Sequence, residues 1–313
     1  MENVIELGEL TKTYGARRGL TGLTLEVRKG EIFGFLGPNG AGKTTTIRLL
    51  LDLIRPTSGS RMVLGLDPLT DGIRLRARVG YLPGDFACDG WQSVSGYLRF
   101  LAALRGGVPR GRIDELAERL GLDQSARIKK LSKGNRQKVG LVQALMHTPE
   151  LLILDEPTSG LDPLVQQTFL ELIADAAERG QTVFMSSHIM SEVEAVAHRV
   201  GIIRDGSLVA LDSVANLRSV STREVEVTFA SPVSADAFIR VPGADGLRVD
   251  TAGTTLSGSF SGDPDDLVKA LAGHTVTGLQ VTKPALEDLF HSYYEGAEAA
   301  PRPTPRPAPV GEV

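Results

Sequence analysis

Cysteine is nearly absent from this 313-residue chain: Cys88 stands alone, which excludes an internal disulfide and, with no second thiol or nearby histidine, argues against zinc. As a lone residue it reads as a small buried apolar side chain. Long apolar runs are missing as well. Nowhere do about 18 apolar residues follow one another, so no segment is expected to span a bilayer. The first ten residues include Glu2, Glu6 and Glu9 and hold no apolar stretch of signal-peptide length. A cytoplasmic chain is expected, with any membrane role supplied by a partner. Surplus positive charge is the third absence. Against 38 acidic side chains stand 34 basic ones, a formal charge of -4, so there is no overall field to gather phosphate backbones, and nucleic acid is not expected as a partner. What is present, 42% hydrophobic and 23% charged residues, is ordinary for a folded globular chain. The length favours one large and one small domain over a single core.

Periodicity places the elements. Val4 to Leu7 and Leu20 to Val27 alternate in polarity and read as short strands, and Glu31 to Leu36 reads as a buried strand before a glycine-rich turn. Apolar residues at helical spacing run from Thr45 to Leu53, from Ser93 to Leu104 and from Gly111 to Leu120, the last two forming a helical insertion. Two apolar runs, Leu151 to Leu154 and Thr182 to Met185, flank a helix from Leu164 to Ala177, an order that implies a parallel sheet buried on both faces. Composition shifts near Arg218 to Arg223, where a domain boundary is expected. Beyond it the order is strand (224–229), helix (234–240), strand (246–250), strand (254–260), helix (263–272) and strand (275–282), which suits a small α+β ferredoxin-like layer. A last helix, Ala285 to Tyr294, closes this accessory domain of 221–294. The proline-rich tail, 295–313, has no means of burying a core and is expected to be disordered.

Three stretches carry chemistry. Gly37-Pro38-Asn39-Gly40-Ala41-Gly42-Lys43-Thr44 fits the phosphate-loop pattern and sits where that pattern needs it, after a buried strand and before a helix. Its glycines let consecutive backbone N–H groups turn toward phosphate oxygens, Lys43 supplies a point charge, Thr44 offers a hydroxyl to Mg²⁺, and Thr45 continues the cradle. A glycine-rich turn of no special purpose would not explain the Lys and Thr that end it. The apolar strand Leu151 to Leu154 ends in Asp155 and Glu156. One carboxylate suits the metal, Asp155, and the other the attacking water, Glu156.

Leu131-Ser132-Lys133-Gly134-Asn135, followed by Arg136-Gln137, resembles the ABC signature, usually written LSGGQ. Ser159-Gly160-Leu161-Asp162 is similar to that family's D-loop, and His188, in Ser186-Ser187-His188, to its switch histidine. With these in order, residues 1 to about 215 resemble an ABC ATP-binding domain. The resemblance implies a phosphate-loop α/β fold with a mixed sheet, boundaries near 1–220, and a helical subdomain from about 84 to 131. It implies ATP and Mg²⁺ as cofactors and Tyr14 stacking on adenine. It implies a head-to-tail dimer in which Ser132 and Gly134 of one copy cover ATP held by the other, with Asn135 and Asp162 also among the ATP-binding residues. Glu156, His188 and Lys43 would then be the catalytic set, with Thr44 and Asp155 on the metal. The chain departs from the family pattern at Gly84, where Gln is usual and touches Mg²⁺; Asp85, one residue on, is a candidate for that contact. It departs again at Lys133 and Asn135.

Trp91, Tyr97 and Phe100 in the insertion read mostly as core, with part of the set available to a permease helix as the resemblance implies. His147, His198, His274 and His291 read as structural. Lys283 to Phe290 and Tyr81-Leu82-Pro83-Gly84 resemble ATPases of the daunorubicin-resistance type. That likeness implies an ABC-2 exporter with a separate membrane permease, the chain lying on the inner face of the membrane. A soluble ABC factor of translation or repair is the alternative, though such proteins usually carry two cassettes, a coiled coil or zinc-binding cysteines.

Overall fold

The computed structural model describes residues 2–282 apart from 16, 89, 221, 222, 239 and 245. The chain divides into two compact units, Met1–Val220 and Ser221–Val313. The first opens with two long antiparallel strands, β1 (Asn3–Tyr14) and β2 (Arg17–Arg28). The sequence pattern gives only parts of them, because register shifts between Leu7 and Leu10 and between Leu10 and Thr13 break the alternation. β3 (Ile32–Leu36) and α1 (Lys43–Leu50) follow. β4 (Ser58–Val63) pairs with β1 and completes a three-stranded antiparallel sheet, ordered β2-β1-β4. It lacks apolar alternation. Its buried Arg61 instead donates to the Leu49 carbonyl at the end of α1 and pairs with Asp52, a cation where the helix dipole is negative.

α2 (Gly72–Arg78) leads into β5 (Val79–Leu82). The helical insertion then supplies α3 (Val94–Leu104) and α4 (Arg112–Arg119), both packed on α5 (Lys133–Leu145). Val94, Leu98 and Ala102, four residues apart, form the inward stripe of α3. Phe100 lies off that stripe and is 55% exposed, and Trp91, before the helix, is 75% exposed. Neither joins the core expected of them, while Tyr97 is partly covered.

β6 (Leu151–Asp155), α6 (Pro163–Glu178), β7 (Thr182–Ser187), α7 (Met190–Val196), β8 (Arg199–Arg204), β9 (Ser207–Ser213) and α8 (Val214–Val220) complete the unit. Six strands form one mixed sheet, ordered β5-β6-β7-β3-β8-β9, in which β9 alone runs antiparallel to its neighbour. β3, β6 and β7 are buried at every residue, which is why each reads as an unbroken apolar run. Phe33 and Phe35 pack on Phe184, ring centroids 5.7 and 5.3 Å apart, and α1 touches strands of both sheets. Register then builds the site: Leu36 lies beside Ser187, Asp155 beside Ser186 and Leu154 beside Leu82. The loops after β3, β5, β6 and β7 therefore leave one carboxyl edge, where open α/β sheets bind ligands.

The second unit contains β10 (Arg223–Phe229), β11 (Gly246–Val249), β12 (Thr255–Phe260), α9 (Pro264–Leu271) and β13 (Val276–Thr282). Its antiparallel sheet, β11-β12-β10-β13, has the split β-α-β order of a ferredoxin-like layer. Val225, Val227, Phe229, Leu256, Phe260 and Leu267 make its core. The helix expected over 234–240 is, in its described residues, only a 3₁₀ turn at Ala235–Ala237, where Ser234 Oγ accepts from the Asp236 N–H at 3.3 Å. Its described bonds are of i→i+3 type, from the Ala237 N–H to the Ser234 carbonyl and from the Phe238 N–H to the Ala235 carbonyl. The helix expected over 285–294, His291 and the tail 295–313 lie outside the described residues.

Candidate active site

After β3 the chain turns through Gly37–Gly42 and enters α1 at Lys43. Gly42 holds φ at 115°, and a Cβ there would come 2.8 Å from Leu20, so conformation and packing both require glycine. The open N-terminus of α1 presents N–H groups and the positive end of the helix dipole. Lys43 is only 5% exposed. Its Nζ donates to the carbonyls of Gly37 at 2.7 Å and Pro38 at 3.2 Å, and stands 3.3 Å from Glu156 Oε1.

Facing it are the ends of β6 and β7. Asp155 is buried, and its Oδ1 accepts from the Ser186 hydroxyl at 2.6 Å. Glu156, a non-glycine residue, holds φ at 47°, a left-handed conformation that costs about 1–3 kcal/mol and persists only where neighbours enforce it. Its N–H donates to the Ser186 carbonyl at 3.2 Å and to Ser186 Oγ at 3.1 Å. The resulting turn swings the carboxylate between Lys43 and His188, whose Nδ1 lies 3.4 Å from Glu156 Oε2. A carboxylate between an ammonium and an imidazole is well placed to orient a water and manage its proton.

Tyr14, Gly19, Asn39, Gly40, Gly42, Lys43, Thr44, Thr45, Arg48 and Glu156 line one open cavity of about 420 Å³, with Tyr14, 45% exposed, among its walls. Of the other loop residues, Gly37 and Ala41 are buried and Pro38 is exposed. A neighbouring cavity of about 410 Å³ shares Thr44, Arg48 and Glu156 and adds Tyr81, Pro83, Gly84, Asp85, Lys133, Asp155 and Ser159. A Cβ at Gly84 would lie 3.4 Å from Asp155 Oδ2, so the missing side chain leaves space directly beside that carboxylate. Burial and the Asp155 charge push the Tyr81 phenol up to about 12, so it remains a neutral donor here.

Ser132, Gly134, Asn135 and Asp162 are not brought to these cavities. Ser132 caps α5, its Oγ accepting from the Asn135 N–H at 3.2 Å, and Asp162 caps α6, its Oδ1 accepting from the Val165 N–H at 3.1 Å. A Cβ at Gly134 would come 2.7 Å from the Gly160 carbonyl, so the start of α5 packs directly on the loop after Glu156. Two buried polar side chains given no role from the sequence stand out: Ser186, and Gln137 on α5, whose Nε2 donates to the Pro157 carbonyl at 2.9 Å. Each is a polar residue in a buried position, the one signal that marks it. The described histidines other than His188 have structural surroundings. His198 Nδ1 accepts from the Ile32 N–H at 2.9 Å, and His274 packs on Phe229 and Phe238. Burial and then the Arg105 charge hold His147 down at about 4. Cys88 is buried.

The model of the ABC transporter family matches residues 20–159. The bacitracin transport ATP-binding protein of Bacillus licheniformis is 42% identical over 214 residues, covering 66% of this chain and 69% of that protein. The chain belongs to the ABC transporter family. The fluoroquinolones export ATP-binding protein of Mycobacterium tuberculosis is 34% identical to this ABC chain over 297 residues, 92% of each. A solved ATP binding subunit of an ABC transporter matches with a TM-score of 0.63 at 29% identity, covering 69% of this chain and 92% of that one. A dimeric bacterial ABC transporter cassette gives 0.62 at 22% identity over 67% and 98%, a likeness of fold. This ABC chain is an ATPase serving transport, and the soluble factor weighed from the sequence is not favoured. Among its described residues no helix is long and apolar enough to cross a membrane.

Proposed function

We propose that this chain is the ATP-hydrolysing subunit of an ABC-2 type exporter. It works as a head-to-tail pair on the inner face of the membrane and drives a separate permease that carries a hydrophobic drug, natural product or lipid. The observation that carries the chemistry is the Glu156 carboxylate set between Lys43 and His188 at the sheet's carboxyl edge. Tyr14 stacks on adenine, the backbone from Gly37 to Thr45 cradles the phosphates, and Lys43 pairs with the terminal ones. Phosphate oxygens then replace the loop carbonyls and Glu156 as partners of Lys43, which leaves the carboxylate to orient water while His188 steadies it. The relatives' names, bacitracin transport and fluoroquinolones export, favour a drug or natural-product cargo.

Thr44 and Asp155 fit Mg²⁺, a hard cation that takes oxygen ligands. No cluster of three or more His, Cys, Asp or Glu able to hold a metal occurs among the described residues, which suits an ion shared with the phosphates and water rather than caged by protein. Bound there, Mg²⁺ would neutralise charge on the phosphates. Ser132, Gly134, Asn135 and Asp162 of a second copy cover the nucleotide; each copy's cap residues lie outside its own cavity. Detergent extraction of the full-length chain should recover a polytopic membrane protein and ATP turnover that this partner stimulates. Recovery of ribosomes or DNA instead would overturn the reading.

A further inference from the structure

The catalytic carboxylate depends on a backbone turn that the chain does not adopt unaided. Glu156 lacks the glycine that a φ of 47° favours, so something must hold it. Two buried side chains do so from opposite sides. At the end of β7, Ser186 is fully buried; its hydroxyl donates to Asp155 Oδ1 at 2.6 Å while accepting from the Glu156 N–H at 3.1 Å. One hydroxyl thus sets both the metal-side carboxylate and the direction in which the next residue leaves the strand. Gln137, 4% exposed, reaches across from α5 and donates to the carbonyls of Pro157 at 2.9 Å and Glu156 at 3.5 Å. The Ser159 N–H donates to the same Glu156 carbonyl at 3.1 Å and closes the turn.

We infer that Ser186 and Gln137 are positioning residues for hydrolysis, holding the left-handed turn that aims Glu156, and that Gln137 ties this aim to the cap end of α5. The inference rests on the two-copy reading of the site. The Ser132 end of α5 lies one and a half turns from Gln137 on the same rigid helix, and it packs against Gly160 without an intervening side chain. Capture of one nucleotide at Ser132 therefore bears directly on the Glu156 that acts on the other. Neither Ser186 nor Gln137 lines the phosphate cavity, so affinity for nucleotide without Mg²⁺ should not depend on them.

The test uses the full-length chain with its permease and the variants Ser186→Ala, Ser186→Thr and Gln137→Met, with Glu156→Gln as a control. Ser186→Ala should lower kcat by about ten- to a hundredfold, the scale of a small misplacement of a reacting group, while Kd for ATP measured in EDTA, without Mg²⁺, stays within about twofold. Ser186→Thr, which keeps the hydroxyl, should recover most of the loss. Gln137→Met should lower kcat less and reduce the Hill coefficient for ATP toward 1, which a merely structural loss at one site would not do. Equal loss of kcat in the Ala and Thr variants, or Mg²⁺-free ATP binding weakened in proportion to kcat, would overturn the inference. So would unchanged cooperativity in Gln137→Met. If Glu156→Gln itself retains turnover, it is the proposed function that fails.

Discussion

The phosphate loop and the paired starts of α5 and α6 differ in how much each copy completes by itself. Around Lys43 the polar groups already answer one another: ammonium to loop carbonyls and to Glu156, Glu156 to His188, Asp155 to Ser186. At Ser132 and Asp162 the side chains only cap their own helices and remain exposed. The first region is a preorganised electrostatic site, the second a pair of anion-favouring helix starts whose capping residues Ser132 and Asp162 line neither cavity of their own chain. In the proposed function, a site divided in this way needs two copies. It also makes the two regions separable by mutation.

The largest effect that would break the comparison is at the phosphate loop. Lys43→Ala should weaken ATP binding by a lone subunit by about tenfold to a hundredfold, the worth of hydrogen bonds to a charged group. Titration with a fluorescent ATP analogue measures this, and an unchanged Kd would remove Lys43 from the site. Ser132→Ala should leave that lone-subunit Kd unchanged and weaken ATP-driven pairing instead, by about fivefold, followed by size-exclusion chromatography in MgATP. Loss of binding by the single subunit would show that the regions are not separate. Asp85→Ala should lower ATP turnover more than nucleotide affinity, since Asp85 lines the cavity beside Asp155 where Gly84 offers no side chain. Unchanged turnover in the assembled transporter would reject a role for it.

The smallest effect concerns the far end of α5. His147 Nε2 lies 3.0 Å from Arg105 Nη1 and 3.2 Å from the Val79 carbonyl, and the folded chain holds the ring neutral down to about pH 4. An unfolded histidine takes up its proton near 6.5, so between pH 6.5 and about 4 the unfolded state binds more protons and stability falls as pH is lowered. His147→Gln should flatten the pH dependence of Tm in that window. An unchanged slope would mean that His147 does not contribute to it.

The parts of the site that were legible from sequence are those written in consecutive residues. The loop from Gly37 to Thr45 and the pair Asp155 and Glu156 each adjoin an apolar strand, and the strand fixes where they emerge. Gln137 and Ser186 act across the fold through backbone groups, and no spacing rule connects positions 137, 156 and 186. The left-handed turn at Glu156 was hidden for a related reason: it is imposed by neighbours, not encoded by a glycine. In the fold, β3, β6 and β7 announced themselves because both faces are buried. β4 did not, because it buries Arg61 as a helix-end cation in place of an apolar stripe. The turn at Ala235–Ala237 is the reverse case, a helical pattern that closes only i→i+3 bonds in its described residues.

The most direct measurement is a cross-link between copies. In a Glu156→Gln background with Cys88→Ser, Ser132→Cys and Asn39→Cys on separate copies, assembled with the permease in MgATP, should form a disulfide-linked pair that ADP does not support. No cross-link with ATP, or equal yield with and without nucleotide, would contradict a site completed by a second copy.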